Sequence, residues 1–176
     1  SGARDVTPFK INGEQYLAIP QLAYDNLASN PSMNGGTDAH VLIFKKSKRG
    51  KFELYQSILG HHNESAEFFE IKGEKYLAVC SVSSGSKPPY NHKTKQILYK
   101  WDGLYFQPVQ KFDGYAAKSW SHFSFGEKTF LGLANGVVFP KSKETNDTRS
   151  HLFQWDGEKF EKFQSFDTSW AYKFSH

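Results

Sequence analysis

Cysteine occurs once in the 176 residues, at Cys80, so no disulfide can form within the chain and packing alone must hold it together. Cys80 ends an apolar run and reads as a buried structural thiol, with a bond to a second chain as the other option. No apolar run reaches the length of a membrane-crossing helix, so no helical span is expected. No stretch shows apolar residues at helical spacing, which leaves strands to carry the core. Catalytic signatures are missing too: there is no G-x-S-x-G elbow, no phosphate-cradling glycine loop, and no pair of acids that stands out from surface scatter. No enzyme is expected. The first residues carry no secretory leader pattern, which has no bearing on secretion.

Aromatic residues, in contrast, make up 16% of the chain, and they recur. Phe52, Phe106 and Phe160 stand at one constant interval, and Gln56, Gln110 and Gln164 keep it, as do Ile58, Phe112 and Phe166. A period of this kind, about 50 residues, marks a propeller or a solenoid. Each repeat opens on a short run ending at glycine, TPFKING (7–13), AEFFEIKG (66–73) or SHFSFG (121–126). An apolar run follows, EQYLAIP (14–20), EKYLAVC (74–80) or EKTFLGLA (127–134). After a polar stretch come VLIFKK (41–46), ILYKW (97–101) or HLFQW (151–155), and then KFELYQSI (51–58), LYFQPVQKF (104–112) or EKFEKFQSF (158–166).

These runs are short, aromatic and β-branched, and bounded by Gly, Asp and Asn, so they read as strands. Asn12-Gly13, Lys72-Gly73, Asp102-Gly103 and Asp156-Gly157 sit between runs where two-residue turns need positive φ. Strand one therefore pairs with strand two, and three with four. The expected fold is all-β: a β-propeller of four-stranded antiparallel blades, about three per chain.

The runs F-x-I-x-G-x-x-Y-L-A-V (Phe69, Ile71, Gly73, Tyr76, Leu77, Ala78, Val79), I-x-Y-K-W-x-G (Ile97, Tyr99, Lys100, Trp101, Gly103) and F-x-x-x-Q (Phe106, Gln110) come in that order. With Gly114 to Phe123 around Trp120, they resemble the EAR repeat, also called EPTP, found in leucine-rich glioma-inactivated proteins and in thrombospondin-type laminin G domain and EAR repeat proteins. The resemblance covers nearly the whole chain. The first repeat departs from it, with Lys46 near the place of the tryptophan and SKRGK (47–51) for Asp-Gly, and Leu133-Ala134-Asn135 alone keeps the family's Ala-Asn ending. The resemblance implies a secreted, extracellular propeller of about seven blades used for protein recognition and cell adhesion, without enzyme activity.

The chain thus reads as one unit, 1–176, with repeats at about 5–58, 64–112 and 117–166 and a partial fourth at 167–176, where SWAYKFSH resembles SWSHFSF (119–125). Three blades leave open sheet faces, so a ring must be completed by missing sequence or by a homo-oligomer, with a dimer preferred.

Candidate sites follow from the loops and the charges. The sequons Asn63-Glu64-Ser65 and Asn146-Asp147-Thr148 are candidate N-glycosylation sites on one face of the unit. The long loops at about 21–39, 81–95 and 135–149 carry Tyr24, Met33, Tyr90 and Phe139 as candidate contacts for a protein partner. Lys45, Lys46, Lys48, Arg49 and Lys51 crowd one turn and form a candidate patch for an acidic or sulfated glycan. Nucleic acid is not expected, since no stacking platform is interleaved with these cations. Trp101, Trp120, Trp155 and Trp170 would serve a lectin-like alternative by stacking on sugars. A structural building block of an extracellular assembly is the third reading. His61, His62 and Glu64 lie close together but lack metal-ligand spacing. No cofactor is expected, although ring symmetry could gather calcium ligands in a central channel.

Overall fold

The computed structural model describes residues 2–23, 38–85, 89–136 and 147–175. Among them are twelve strands in three four-stranded antiparallel sheets, each strand pairing with its neighbour in sequence. Sheet 1 holds β1 (Thr7–Ile11), β2 (Glu14–Pro20), β3 (His40–Lys46) and β4 (Phe52–Leu59). Sheet 2 holds β5 (Asn63–Ile71), β6 (Glu74–Ser81), β7 (Lys93–Trp101) and β8 (Phe106–Tyr115). Sheet 3 holds β9 (Ala117–Phe125), β10 (Lys128–Asn135), β11 (Ser150–Trp155) and β12 (Phe160–Phe166). All twelve expected runs are strands. β5, β7 and β9 begin three or four residues earlier than the sequence suggests, because their leading residues still pair with the adjoining strand or lie against a neighbouring sheet.

Two classes of turn replace the single one expected. Asn12-Gly13 and Lys72-Gly73 are two-residue hairpins with positive φ at both positions, 50° and 82° in the first and 50° and 83° in the second. The Asp-Gly pairs do something else: Trp101 pairs with Phe106 and Trp155 with Phe160, so each loop holds four residues. Here the aspartate closes the turn, Asp102 Oδ1 accepting the amides of Leu104 and Tyr105, and Asp156 Oδ1 those of Glu158 and Lys159. These amide bonds hold both carboxyls below the usual aspartate range.

The sheets pack face to face in chain order. One core cluster joins sheet 1 to sheet 2 through Phe9, Ile11, Val41 and Ile43 on one side and Leu77, Val79, Tyr99 and Phe106 on the other. A second joins sheet 2 to sheet 3 through Phe69, Tyr76, Leu98 and Phe112 against Trp120, Leu131, Leu133 and Phe153. Sheet 2 is thus covered on both faces, and β6 is buried continuously from Tyr76 to Ser81. In β2 buried and half-buried residues alternate, as a strand with one covered face requires. Among the described residues no core cluster joins sheet 3 back to sheet 1, and the array is open.

An aromatic box is repeated at each junction. Phe9 stacks on Phe68 at 4.4 Å and meets Phe106 edge-on at 5.9 Å, and Phe69 stacks on His122 at 4.3 Å and meets Phe160 edge-on at 6.1 Å. Trp101 and Trp155 close the two boxes against Tyr16 and Tyr76. Such pairs add about 0.5–1.5 kcal/mol each beyond area burial.

The recurring glutamine locks the same junction. Gln56 Nε2 donates to the Phe106 carbonyl (2.9 Å) while its Oε1 accepts the Phe106 amide (3.0 Å). Gln110 repeats this on Phe160 at 2.6 and 3.0 Å. A β-bulge makes room for the clamp. The ladder of each sheet slips between Ile43 and Phe44, Leu98 and Tyr99, and Leu152 and Phe153, leaving Tyr55, Val109 and Phe163 as the extra residues just before Gln56, Gln110 and Gln164. A bulge bends the strand and re-aims the next side chain, here toward the adjoining sheet.

Residues 169–175 form no strand, yet they lie in the place of a following first strand. The Ser121 hydroxyl donates to the Phe174 carbonyl (2.9 Å) as the Thr7 hydroxyl does to that of Ala66 (2.7 Å). Phe174 sits in a notch that only glycine leaves open, since a Cβ on Gly132 would come within 2.9 Å of its ring. The sequence likeness aligned Trp170 with Trp120, and the structure corrects this. Phe174 holds the station of Trp120 one repeat further on, while Trp170 holds the junction station of His62 and Ala116. All three junction residues have positive φ, 39°, 47° and 58°.

Gln110→Ala should lower unfolding free energy by about 1–3 kcal/mol, the loss of a two-bond clamp on a half-buried backbone, while Gln164→Ala should change it by less than about 0.5 kcal/mol. Urea denaturation of the three proteins checks this. Cys80 lies in the junction of sheets 2 and 3 with no exposed surface, and burial pushes its thiol up. An interchain disulfide through it does not fit this fold. Native protein should resist alkylation at Cys80 and react fully once unfolded, as intact mass would report.

Candidate functional site

Strand order puts the β2–β3, β6–β7 and β10–β11 loops at one end of the sheets, together with the links from each sheet to the next. The hairpin turns and the Asp-Gly turns lie at the opposite end. Tyr24, Met33, Phe139 and the sequon residue Asn146 fall outside the described residues. The remaining loop candidate, Tyr90, is half-buried with its ring edge-on to His62 at 4.8 Å, so the expectation that it is an exposed contact is not met.

The loop end carries two equivalent clefts, one at each junction. Between sheets 1 and 2 the cleft is lined by Leu59, Gly60 and His61 on one wall and Lys95, Ile97 and Tyr99 on the other. Between sheets 2 and 3 the same stations in the next repeat hold Asp113, Gly114 and Tyr115, which with Lys93 face Asp147, His151 and Lys162. The first cleft is mostly apolar, and the second is charged with a volume of about 300 Å³. Asp147 organises the second. Its carboxylate accepts from Arg149 Nε (2.8 Å) and Nη2 (3.0 Å) and stands 3.6 Å from His151 Nε2 and 4.0 Å from Lys162 Nζ. The Arg149 bonds lower its pKa to about 2. Lys95 and Asp113 pair at 2.6 Å on the rim.

Asn63 is not a glycan site in this fold. Its side chain has no exposed surface, Nδ2 donates to the Ala39 (2.6 Å) and Gln21 (3.3 Å) carbonyls, and the Ser81 hydroxyl donates to Oδ1 (3.4 Å). The nitrogen that would carry sugar instead ties sheet 1 to sheet 2. An N-x-S triplet reports acceptor chemistry and not exposure, which is why the sequence misplaced it.

The basic turn divides. Lys45 pairs with Glu14 at 2.6 Å and lies over the rings of Tyr16 and Tyr55, and Lys46 donates to Gln15 Oε1 at 2.8 Å. Lys48, Arg49 and Lys51 remain exposed on the turn. A five-cation patch is thereby reduced to three, at the end opposite the clefts. The tryptophans do not line the clefts either. Trp120 is 2% exposed with Nε1 donating to the Val79 carbonyl (3.1 Å), Trp101 and Trp155 belong to the aromatic boxes, and exposed Trp170 lies in the tail. None of these four tryptophans is placed for sugar stacking in the two clefts.

The innermost strands form a charged column that sequence reasoning missed. Arg4 and Lys118 both lie 3.5 Å from the Glu64 carboxylate, and Lys118 stands over the Tyr172 ring at 5.8 Å. These four hold equivalent stations in successive repeats, and only the register of all the repeats would have revealed them. Glu64 thus shares its carboxylate between two cations. His61 pairs with Asp38 at 2.7 Å and His62 bonds the Ser83 hydroxyl, so the three neighbours in sequence diverge. Among the described residues no group of three or more His, Cys, Asp or Glu side chains could hold a metal ion, and there is no helix long and apolar enough to cross a membrane.

His62, His92 and His151 all have pKa values lowered first by burial, with nearby positive charge adding to the effect: His92 for His62, Lys118 for His92 and Lys162 for His151. A histidine that binds its proton more weakly when folded contributes stability that is complete above its unfolded value, 6.5, and lost as pH falls below that toward the folded pKa. Acidification from about pH 7.5 to about pH 5 should therefore lower the urea midpoint, and His62→Gln should flatten the dependence. A midpoint constant across this window contradicts the assignment.

A family model described as the EPTP domain matches residues 106–156, from the start of β8 to just past β11, and so straddles the boundary between sheets 2 and 3. The chain is 35% identical over 148 residues to the thrombospondin-type laminin G domain and EAR repeat-containing protein of Homo sapiens, covering 82% of this chain and 20% of that protein. It is 33% identical over 117 residues to the protein of the same name from Mus musculus, covering 65% of this chain and 16% of the relative. The match thus spans a fifth or less of the length of these relatives. The chain belongs to the EAR (EPTP) repeat family.

Proposed function

We infer that this chain is part of an extracellular β-propeller that recognises a protein partner through the loop end of its sheets, as a binding and not a catalytic module. The observation that carries the reading is a contrast between two equivalent junctions. The aromatic box and the glutamine clamp are repeated nearly residue for residue. The rims of the clefts above them are not: Leu59 becomes Asp113, His61 becomes Tyr115, and Ile97 becomes His151. A rigid frame that repeats beneath a surface that varies is how binding loops are mounted on scaffolds. The relatives, described by their names as carrying a thrombospondin-type laminin G domain beside EAR repeats, support a place outside the cell.

The test uses parallel arrays of extracellular proteins and of glycans, including sulfated ones, probed with the wild-type chain and two double variants. Protein hits should be lost with Lys93→Glu/Lys162→Glu at the charged cleft and kept with Lys48→Glu/Lys51→Glu at the basic turn. Glycan hits abolished by the second variant would overturn the reading in favour of the basic turn.

A further inference from the structure

The two clefts at the loop end share a wall. Lys95 of β7 lines the first and Asp113 of β8 lines the second, and their side chains pair at 2.6 Å. This ion pair is the ridge between the clefts, which open on either side of sheet 2 within reach of a single ligand.

The first cleft asks for an apolar group. It has a volume of about 130 Å³ and is walled by Val41, Leu59, Ile97 and Tyr99. The polar side chains around it are already bonded, Asn63 to the Ala39 and Gln21 carbonyls, His61 to Asp38 and Lys95 to Asp113. A cavity of about 150 Å³ holds a group the size of benzene, whereas pockets for drug-sized ligands begin at about 300 Å³. One aliphatic side chain therefore suits the space, and Leu59, 62% exposed on the rim, offers apolar surface to cover it.

The second cleft asks for an anion. Both of its carboxylates are already matched, Asp113 by Lys95 and Asp147 by the two bonds from Arg149. His151 is buried, and that burial lowers its pKa and keeps it neutral at pH 7. Lys162 is half exposed and stands 4.0 Å from the carboxylate that Arg149 holds, while Lys93 makes no ion pair among the described residues. The charge left without a close partner is positive.

We propose that the two clefts form one bipartite site for an extended segment of a protein partner, with an aliphatic side chain entering the first and an Asp or Glu carboxylate meeting Lys93 and Lys162 in the second. The inference rests on the loop end being the recognition surface and gives that surface a ligand class. A polypeptide supplies both groups, whereas a sulfated sugar has no aliphatic group for the first cleft. Packed sheets lie about 10 Å apart and an extended chain rises about 3.3 Å per residue, so anchors on the two sides of sheet 2 stand about three residues apart. The Lys95–Asp113 ridge then lies under the residues between them.

Selection of phage-displayed random dodecapeptides on the immobilised chain tests the proposal. Enriched peptides should share an aliphatic and an acidic residue about two to four positions apart. A synthetic peptide of that kind, titrated by fluorescence anisotropy, should bind about tenfold or more weakly to Lys162→Glu and to Leu59→Ser. Both residues are exposed, and an unchanged thermal midpoint confirms that the variants fold. Replacing the peptide's acidic residue by alanine should abolish the sensitivity to Lys162→Glu and keep that to Leu59→Ser, which assigns each anchor to its cleft. No enriched peptide, peptides without a common spacing, a titration indifferent to either substitution, or a Lys162 effect that survives loss of the acid overturns the proposal. So does capture of a heparin oligosaccharide instead of peptides, abolished by Lys162→Glu, which would make the second cleft a glycan site. Protein hits on the arrays without a spaced pair among the peptides would sink this assignment alone, and arrays without protein hits would sink the reading on which it rests.

Discussion

A four-stranded sheet with apolar side chains on both faces cannot be finished by itself, and the structure depends on that constraint. Sheet 2 shows the solution, with Leu77, Val79 and Tyr99 facing one neighbour and Tyr76, Ala78 and Leu98 the other. Burial alone would let two such faces slide, because hydrophobic contact has little directionality. The glutamine clamp removes the freedom. Its carboxamide offers one donor and one acceptor at fixed separation, and both are matched by the amide and carbonyl of a single residue, Phe106 or Phe160. That residue's ring fills the aromatic box of the same junction, so backbone and side chain are registered together.

Frame and surface are separated along each strand. Toward the turn end lie the aromatic boxes and the Asp-capped turns, similar in both junctions. Toward the loop end the packing gives way to polar contacts that differ from junction to junction. Asn63 is the tie at the first, bonded to two carbonyls of sheet 1, and at the second Ala117 takes its station. Asn135 does related work within its own surroundings, accepting from the Tyr115 amide and donating to the Arg149 carbonyl. The charged column on the inner strands adds a third element, in which Glu64 links sheets 1, 2 and 3 through Arg4 and Lys118. With both cations close and Glu64 and Lys118 largely shielded, these pairs act as register marks more than as sources of stability.

The open ends of the array show what a junction contributes by showing its absence. Phe52, Val6 and Phe125 are bare at stations that are otherwise buried. The tail partly compensates at sheet 3, where Phe174 fills the Gly132 notch and Trp170 keeps the positive φ of the junction.

The constant spacing of Phe52, Phe106 and Phe160, with Gln56, Gln110 and Gln164, was enough to determine the strands, their pairing within each sheet and the number of repeats, because strand pairing between sequence neighbours is governed by local periodicity and by glycine at the turns. The resemblance carried by Phe69, Trp101 and Gln110 placed the family as well. The roles of those residues were not legible. That the glutamine reaches the next sheet depends on a bulge at Tyr55 or Val109, and nothing in the local sequence distinguishes a bulged residue from a paired one. Asn63 read as a glycan acceptor, Tyr90 as an exposed contact and Lys45 as part of a free basic patch. The structure puts each against a partner distant in sequence, Ala39 for Asn63, His62 for Tyr90 and Glu14 for Lys45. Exposure and hydrogen-bond partnership are properties of how sheets meet. The sequence by itself determined which residues form the sheets, and only the tertiary structure decided which faces, edges and polar groups the meeting of those sheets would bury.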